Sequence, residues 1–282
     1  MTKRSQAAAS LMITTVLAGC GKAKTSTPEP PETAARPPAV IELTAIDYAF
    51  QSPDTIPGGW VTLRLSNGGK ELHHAALYRL DGGKTIADLT KLAPGAATPD
   101  WLIAAGGPNP AAPGGAIETT LNLTPGSYAI LCEIPSPDGK LHFMKGMMKP
   151  LTVVASTAAA TPPTADISLK LADYSFEFSG PLTAGKHTFR VETAPGQPHE
   201  VVFVRLAPGK KAEDLLAWVA KMDGPPPIAG VVGGTTALGQ GEVSVFQGEL
   251  AAGDYAVICF VPDVKDGQPH AAHGMMKTIT VL

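Results

Sequence analysis

Four side chains with metal-binding chemistry occur in the same order in each half of the sequence. Each set has a histidine that opens an apolar run, a cysteine, a second histidine ten or eleven residues later, and a methionine five residues after that histidine. The sets are His73, Cys132, His142 and Met147 in the first half, and His199, Cys259, His270 and Met275 in the second. The second histidine and the methionine keep their spacing although the preceding loop differs in length, as expected of positions that one ion constrains together.

Two imidazole nitrogens, a thiolate and a weak thioether make a soft, trigonal set of donors. Such a set suits copper, because it can hold Cu(I) and Cu(II) with little rearrangement. Zinc normally takes a fourth strong ligand in place of methionine, and magnesium and calcium prefer oxygen ligands. The residues therefore predict one copper ion per half, held by the eight side chains named above.

This order of ligands resembles that of the cupredoxins, the blue copper proteins. The resemblance rests on the upstream histidine, on the Cys, His and Met clustered before the last strand, and on an aromatic residue four positions before each cysteine, Tyr128 and Tyr255. The loop that ends at residues 142–147 is similar to the type 1 copper loop of copper nitrite reductases. The resemblance covers about 230 of the 282 residues and implies β-sandwich domains with one type 1 copper each, which carry single electrons.

Two departures from the family pattern leave other functions open. The loops at 133–141 and 260–269 are slightly longer than the similar nitrite reductase loop and rich in Pro, Asp and Gly. A cupredoxin-like interaction module without metal therefore remains an alternative, as does a protein for copper storage or delivery. The sequence also lacks the His-x-His pairs that nitrite reductases and multicopper oxidases use for further copper ions. It therefore predicts a carrier that serves a redox partner protein, and not an enzyme.

The remaining histidines are predicted to have other roles. His74 follows His73, but its counterpart in the second half is Glu200, and strand alternation directs neighbouring side chains to opposite faces. We therefore expect His74 on the surface. His187 and His273 have no histidine counterpart, and we expect them to be ordinary strand or loop residues.

The remaining sulfur atoms are also assigned from spacing. Met148 and Met276 follow the proposed ligands directly and should turn the other way, into the core, although spacing alone selects which methionine of each pair is axial. A disulfide between Cys132 and Cys259 would have to join equivalent interior positions of two domains, so free thiols are the favoured interpretation.

An internal repeat determines the elements that must position these residues. Asp47-Tyr48-Ala49-Phe50 returns 126 residues later as Asp173-Tyr174-Ser175-Phe176, and Gly146-Met147-Met148-Lys149 returns 128 residues later as Gly274-Met275-Met276-Lys277. In each copy, alternating apolar and polar residues between Gly and Pro turns predict about seven strands, and only 85–92 and 212–222 look helical. The predicted fold class is all-β: two tandem cupredoxin-like Greek-key β-sandwiches, each with a short helical excursion.

The N-terminus is typical of an exported lipoprotein. Lys3 and Arg4 precede a short apolar run that ends in Leu17-Ala18-Gly19-Cys20, which resembles a lipobox. We predict a signal peptide at 1–20, a Pro/Thr-rich tether at 21–38, domain 1 at 39–155, a linker at 156–165 and domain 2 at 166–282. Lipidation of Cys20 would attach the chain to a membrane, and Gly21 resembles the pattern of lipoproteins sent to the outer membrane, facing the periplasm.

The charge pattern excludes one class of partner. The chain has 22 Lys and Arg against 25 Asp and Glu, for a formal net charge of −3, and no block of like charges. A nucleic-acid footprint requires a basic patch or stripe, which this sequence does not offer. The expected partners are thus a redox protein of the cell envelope and the lipid bilayer.

Overall fold

The structure is a computed structural model that describes residues 36–92, 98–157 and 159–282. The predicted signal peptide and all but the last three residues of the predicted tether lie outside the described residues. Residues Ala35–Leu282 form one compact unit. None of the helices in the described ranges combines the length and the hydropathy needed to cross a bilayer.

The first half consists mainly of strands. Its helices are the short α1 (Ile86–Leu89) and the 3-10 helix His142–Lys145. Its strands are β1 (Ala39–Ile46), β2 (Ala49–Gln51), β3 (Thr55–Pro57), β4 (Gly59–Asn67), β5 (Ala76–Leu80), β6 (Leu102–Ala104), β7 (Ala116–Leu123), β8 (Gly126–Leu131) and β9 (Met148–Val154).

The second half repeats this plan with a longer helix, α2 (Ala212–Val219), and the 3-10 helix His270–His273. Its strands are β10 (Ile167–Ala172), β11 (Ser175–Phe178), β12 (Gly185–Thr193), β13 (His199–Leu206), β14 (Ile228–Leu238), β15 (Val243–Leu250), β16 (Gly253–Ile258) and β17 (Met276–Val281). Strand β10 shows why these segments form half-buried strands, because Ile167, Leu169 and Leu171 are buried while Ser168 and Lys170 between them are exposed.

The described strands form three sheets. An eight-stranded sheet runs in the order β11-β10-β12-β15-β7-β4-β1-β2, so it takes four strands from each half. A five-stranded sheet, β3-β9-β8-β5-β6, belongs to the first half, and a four-stranded sheet, β14-β13-β16-β17, belongs to the second. The two cysteine-bearing strand ends, after β8 and β16, therefore lie in the two smaller sheets.

The two halves are joined along a seam of backbone pairing. Strand β7 pairs antiparallel with β15, and the segment that follows β6 pairs with β14 through bridges such as Ala105–Leu238. Gly107 and Gly234, beside this seam, let the backbone of their own half approach closely, because a Cβ at these positions would lie 1.9 Å from the carbonyl oxygen of Ala75 and of Val201, respectively. One hydrophobic core cluster includes buried residues of both halves.

The structure confirms the all-β, cupredoxin-like sandwich fold with few helices. The helices at 86–89 and 212–219 are shorter than the predicted 85–92 and 212–222. The domain boundaries 39–155 and 166–282 stay a prediction, since the described residues of both halves share one sheet and one core.

Candidate metal centres

Three predicted ligands of the first half converge on one buried point. His73 precedes β5, Cys132 follows β8 and His142 opens the 3-10 helix, and all three are fully buried. Nδ1 of His73 lies 3.1 Å from Nδ1 of His142. Sγ of Cys132 lies 3.3 Å from Nδ1 of His142 and 3.8 Å from Nδ1 of His73.

The distances between these three donor atoms leave room for one metal ion among them. A circle through three atoms at 3.1, 3.3 and 3.8 Å has a radius of about 2.0 Å, close to metal–nitrogen and metal–thiolate bond lengths of about 2.0–2.3 Å. One ion could therefore contact all three donors with little side-chain movement. Two imidazoles and one thiolate in a plane are the donors of a trigonal copper site.

The second half builds an equivalent cluster. Nδ1 of His199 lies 3.0 Å from Nδ1 of His270, and Sγ of Cys259 lies 3.5 Å from Nδ1 of His270. The ligand atoms of these three residues all lie within 4.8 Å of one another, and the residues are fully buried. Both halves thus bring together the cysteine and the two histidines that the sequence predicted, while their role as metal ligands stays a prediction.

The loop after Cys132 is folded so that Met147 returns to the cysteine. The backbone N–H of Met147 donates to the carbonyl of His142 at 3.0 Å, and its carbonyl accepts from the N–H of Cys132 at 3.2 Å. Gly146 has φ of 104°, in the left-handed region that favours glycine, and reverses the chain after the 3-10 helix. The Met147 side chain is fully buried in the core cluster that contains Cys132.

The second loop repeats these contacts. Met275 donates to the carbonyl of His270 at 3.0 Å and accepts from the N–H of Cys259 at 3.1 Å, and its side chain is fully buried. Met148 and Met276 pack against different hydrophobic clusters, away from the two cysteines. The first methionine of each pair is therefore the one placed beside the cysteine.

Carboxylates fix the orientation of both imidazoles in the first centre. Nε2 of His73 lies 2.8 Å from Oδ1 of Asp47, and Nε2 of His142 lies 2.8 Å from Oε2 of Glu71. An N–H at Nε2 that donates to a carboxylate leaves Nδ1 free as a metal ligand and makes it more basic. Burial lowers the pKa of His142, against the opposing effect of Glu71, which favours the neutral imidazole that a metal needs.

The second centre uses an amide where the first uses a carboxylate. Nε2 of His199 lies 3.0 Å from Oδ1 of Asp173, as in the first half. Nε2 of His270, however, lies 3.2 Å from Oε1 of Gln197, and the carboxylate of Asp263 is farther away, at 3.8 Å. Gln197 donates in turn to Oδ2 of Asp263 at 2.9 Å. The negative charge is therefore one hydrogen bond more distant from the imidazole.

Burial also controls the two thiols. It raises the pKa of Cys132 to about 12 and raises that of Cys259 further, although backbone N–H groups around each sulfur act in the opposite direction. Without a cation both residues are thiols at neutral pH, and a bound metal ion would displace the proton. Within the described ranges Cys132 and Cys259 are free cysteines, as predicted.

A chain of buried polar groups connects the two centres. The backbone N–H of Glu133, next to Cys132, donates to Nε2 of His74 at 2.7 Å. Nδ1 of His74 lies 3.3 Å from Oδ1 of Asn109, whose Nδ2 donates to Glu200 at 2.9 Å. Glu200 also accepts from the backbone N–H of Phe260, next to Cys259, at 2.9 Å. This connection was not predicted from the sequence.

The prediction that His74 lies on the surface is wrong, since its side chain is only 6% exposed. Alternation does direct it away from His73, but the second half of the molecule, and not solvent, covers that face of the strand. Burial lowers the pKa of His74 to about 3 and raises the pKa of both Glu133 and Glu200 to about 7. In the alignment of the two copies, His74 corresponds to Glu200, so both copies have a polar residue at this position. This was the signal in the sequence that could have revealed a polar interface.

The other two histidines have local partners. His187 pairs with Asp166 at 2.6 Å, and His273 pairs with Asp266 at 3.2 Å. Both acidic partners are exposed, so these are surface pairs and lie outside the two clusters.

Several solved structures that are similar to this chain are copper proteins by name. Reduced auracyanin from Roseiflexus castenholzii is 24% identical over 42% of this chain and 98% of its own length, with a TM-score of 0.31. Copper nitrite reductase from Nitrosomonas europaea is 14% identical over 86% of this chain and 94% of its own length, with a TM-score of 0.25. Blue copper oxidase from the same organism is 16% identical, over 86% of both chains, with a TM-score of 0.26.

No protein-family model matches the chain, and no curated protein matches it. The assignment of a cupredoxin-like fold rests on the strand order and on the two His-Cys-His clusters, which coincide with the ligand order of that class. The donor set of each cluster fits copper.

The comparisons correct one prediction. The lack of His-x-His pairs predicted a carrier and not an enzyme, but the similar structures include copper nitrite reductase and multicopper oxidases, which are enzymes. The exclusion of an enzyme was therefore wrong, because one fold can support more than one function.

Proposed function

We propose that the chain is a copper-binding electron-transfer lipoprotein of the bacterial cell envelope, with one type 1 copper in each half. His73, Cys132, His142 and Met147 would hold the first ion, and the four equivalent residues of the second half would hold the other. The observation that carries this proposal is the metal-sized triangle of donor atoms, which exists with both imidazoles already oriented by hydrogen bonds. A type 1 copper supplies one-electron chemistry with little rearrangement.

The chain's own residues support a carrier in two ways. All six His and Cys side chains are fully buried, so water and external chelators have little access to a bound ion. The carboxylates and the amide that hold the imidazoles keep the site in one geometry in both oxidation states. A storage or delivery protein would instead need to release its metal readily, so slow exchange with a chelator favours the carrier.

The test is titration of the purified mature protein with Cu(II), followed by the visible spectrum and metal analysis. We expect about two copper ions per chain and an intense thiolate-to-copper band. Cys132→Ser and Cys259→Ser should each remove about half of the band, and the double variant all of it. Copper uptake without such a band would point to storage, and no uptake by folded protein would point to an interaction module.

The location of the chain is part of the same proposal. Lipidation of Cys20 would anchor it to a membrane, with the outer membrane facing the periplasm as the expected site and an envelope redox protein as the partner. Fractionation of cells that express the native chain and a Cys20→Ala variant tests this. The native protein should sediment with membranes, and a variant that sediments equally would contradict lipid anchoring.

A further inference from the structure

A cavity of the described structure is lined by residues of both halves. It encloses about 600 Å³, a volume in the range of small-molecule sites. Most of its wall is apolar and comes from both halves, including Ile134, Val202, Leu215, Trp218, Val219 and Phe260. Prolines of both halves complete the wall, so the cavity requires both halves.

Two carboxylates line this apolar cavity without a cationic partner. Both oxygens of Glu133 accept from the hydroxyl of Tyr78 at 3.0 Å, and Glu200 accepts from Asn109 and the backbone of Phe260. All these donors are neutral, and in the described part of the chain neither carboxylate forms a salt bridge with Lys or Arg. Buried carboxylates are ordinarily paired with a cation, because isolation from water is costly.

Acidic side chains outnumber basic ones around the cavity. The charged side chains that line it are Lys70, Glu71, Glu133 and Glu200, and Lys70 is exposed to solvent. Glu71 is already engaged by His142 and Tyr48. The two carboxylates at the junction of the halves are therefore the groups that a bound molecule would meet.

We propose that this cavity binds an organic amine, with the ammonium group held by Glu133 and Glu200 and the apolar body against the wall. The ammonium supplies the missing positive charge and charge-assisted hydrogen bonds to both carboxylates. The indole of Trp218 offers an aromatic face to the body or to the cation. Because Glu133 follows Cys132 and Glu200 follows His199, the site is attached to a ligand residue of each centre. The inference does not depend on copper.

The first test compares three probes of nearly equal shape on the metal-free full mature chain by calorimetry. The probes are 4-phenylbutylamine, 4-phenylbutan-1-ol and 4-phenylbutanoate, which differ in charge but share the phenylbutyl body. We expect the amine to bind at least about tenfold more tightly than the alcohol, and the anion most weakly, because a hydrogen bond between an ammonium and a carboxylate is stronger than one between neutral groups. Binding of the alcohol or the anion as tight as that of the amine, or no binding of the amine at millimolar concentration, would overturn the proposal.

The second test uses Glu133→Gln and Glu200→Gln, which keep the shape of the side chain and remove its charge. Each should weaken the amine about tenfold and leave the alcohol unchanged, whereas Glu177→Gln, at an exposed position on β11, should change neither. Unchanged amine affinity in both cavity variants would refute the assignment. If one variant does not fold, as judged by circular dichroism, the other variant and the probe series on the native chain decide. The copper spectrum of the same preparations reports separately on the proposed function.

Discussion

Glu71 and Gln197 occupy equivalent positions in the two halves, and each contacts Nε2 of the loop histidine, at 2.8 Å from His142 and 3.2 Å from His270. The two candidate centres are therefore alike in their ligands but different in the charge that supports one imidazole. A carboxylate makes the imidazole a stronger donor than an amide does, and a stronger donor favours Cu(II) over Cu(I). The first centre should have the lower reduction potential.

Exchanging the side chains at positions 71 and 197 should reverse the difference in reduction potential between the two centres. Glu71→Gln is expected to raise the potential of the first centre, and Gln197→Glu to lower that of the second, each by on the order of 60 mV, which is tenfold in the one-electron equilibrium. Spectroelectrochemical titration of the copper-loaded variants measures both values. Lys145 near the first centre opposes the effect, but it is paired with Asp138 at 3.1 Å, which offsets its charge.

The matched control is Glu177→Gln, which removes one exposed carboxylate that belongs to neither cluster and should leave both potentials unchanged. A Gln197→Glu variant whose second centre rises in potential would contradict the assigned cause.

Asn109 should be important for stability because it links the two halves. It is 2% exposed and contacts both His74 and Glu200. Asn109→Leu keeps the branched shape of the side chain but removes the partner of Nδ1 of His74 and of one carboxylate oxygen of Glu200, so we expect a loss of about 2–4 kcal/mol in the free energy of unfolding. Urea denaturation of the metal-free protein measures it. Asn122→Leu, at an exposed position of β7, should change stability by less than about 0.5 kcal/mol.

His74 should make the native state sensitive to acid. Its pKa is about 3 in the folded protein against an ordinary value of 6.5, so it stabilises the fold above pH 6.5 and loses this contribution as pH falls towards 3. Between pH 7 and pH 5 the native chain should therefore lose about 2 kcal/mol relative to His74→Gln, which cannot take up a proton. Urea denaturation of both metal-free proteins at the two pH values measures the difference. A constant difference would show that His74 titrates normally.

The assignment of Met147 as the axial ligand can be tested by comparing variants at Met147 and at its neighbour, Met148. Met147→Leu removes the thioether beside Cys132, and we expect it to keep the visible band but raise the potential of the first centre by tens of millivolts, since the axial ligand tunes the potential. Met148→Leu changes the side chain that packs away from the cysteine and should have no such effect. The reverse result would mean that the axial ligand has been assigned to the wrong residue.

The sequence predicted the fold and the six converging His and Cys residues because both leave local signals. Alternation along strands such as β10 follows from burial of one face, and the repeat places His73 and His199 in register. The Asp-Tyr motif that contains Asp47 and Asp173 was visible as a repeat, but its role was not. An aspartate reaches a histidine 26 residues away only through the pairing of β1 with β4, which spacing does not reveal.

The interface between the halves was not predictable in the same way. Strand alternation predicts that the His74 side chain points away from that of His73, but it does not predict whether solvent or protein covers that face of the strand. The shared sheet also left no signal, because the same pattern of β7 fits a strand with its edge open to solvent or one paired with another strand.

The pairing of β7 with β15 has a consequence for any attempt to divide the molecule. Thr119, Thr120 and Leu121 exchange backbone contacts with residues 244–246, so removal of either half leaves an open row of amide and carbonyl groups. An open row of this kind recruits another strand. A fragment with one half alone should therefore self-associate edge to edge, and severing the linker in the intact protein should not release two separate bodies.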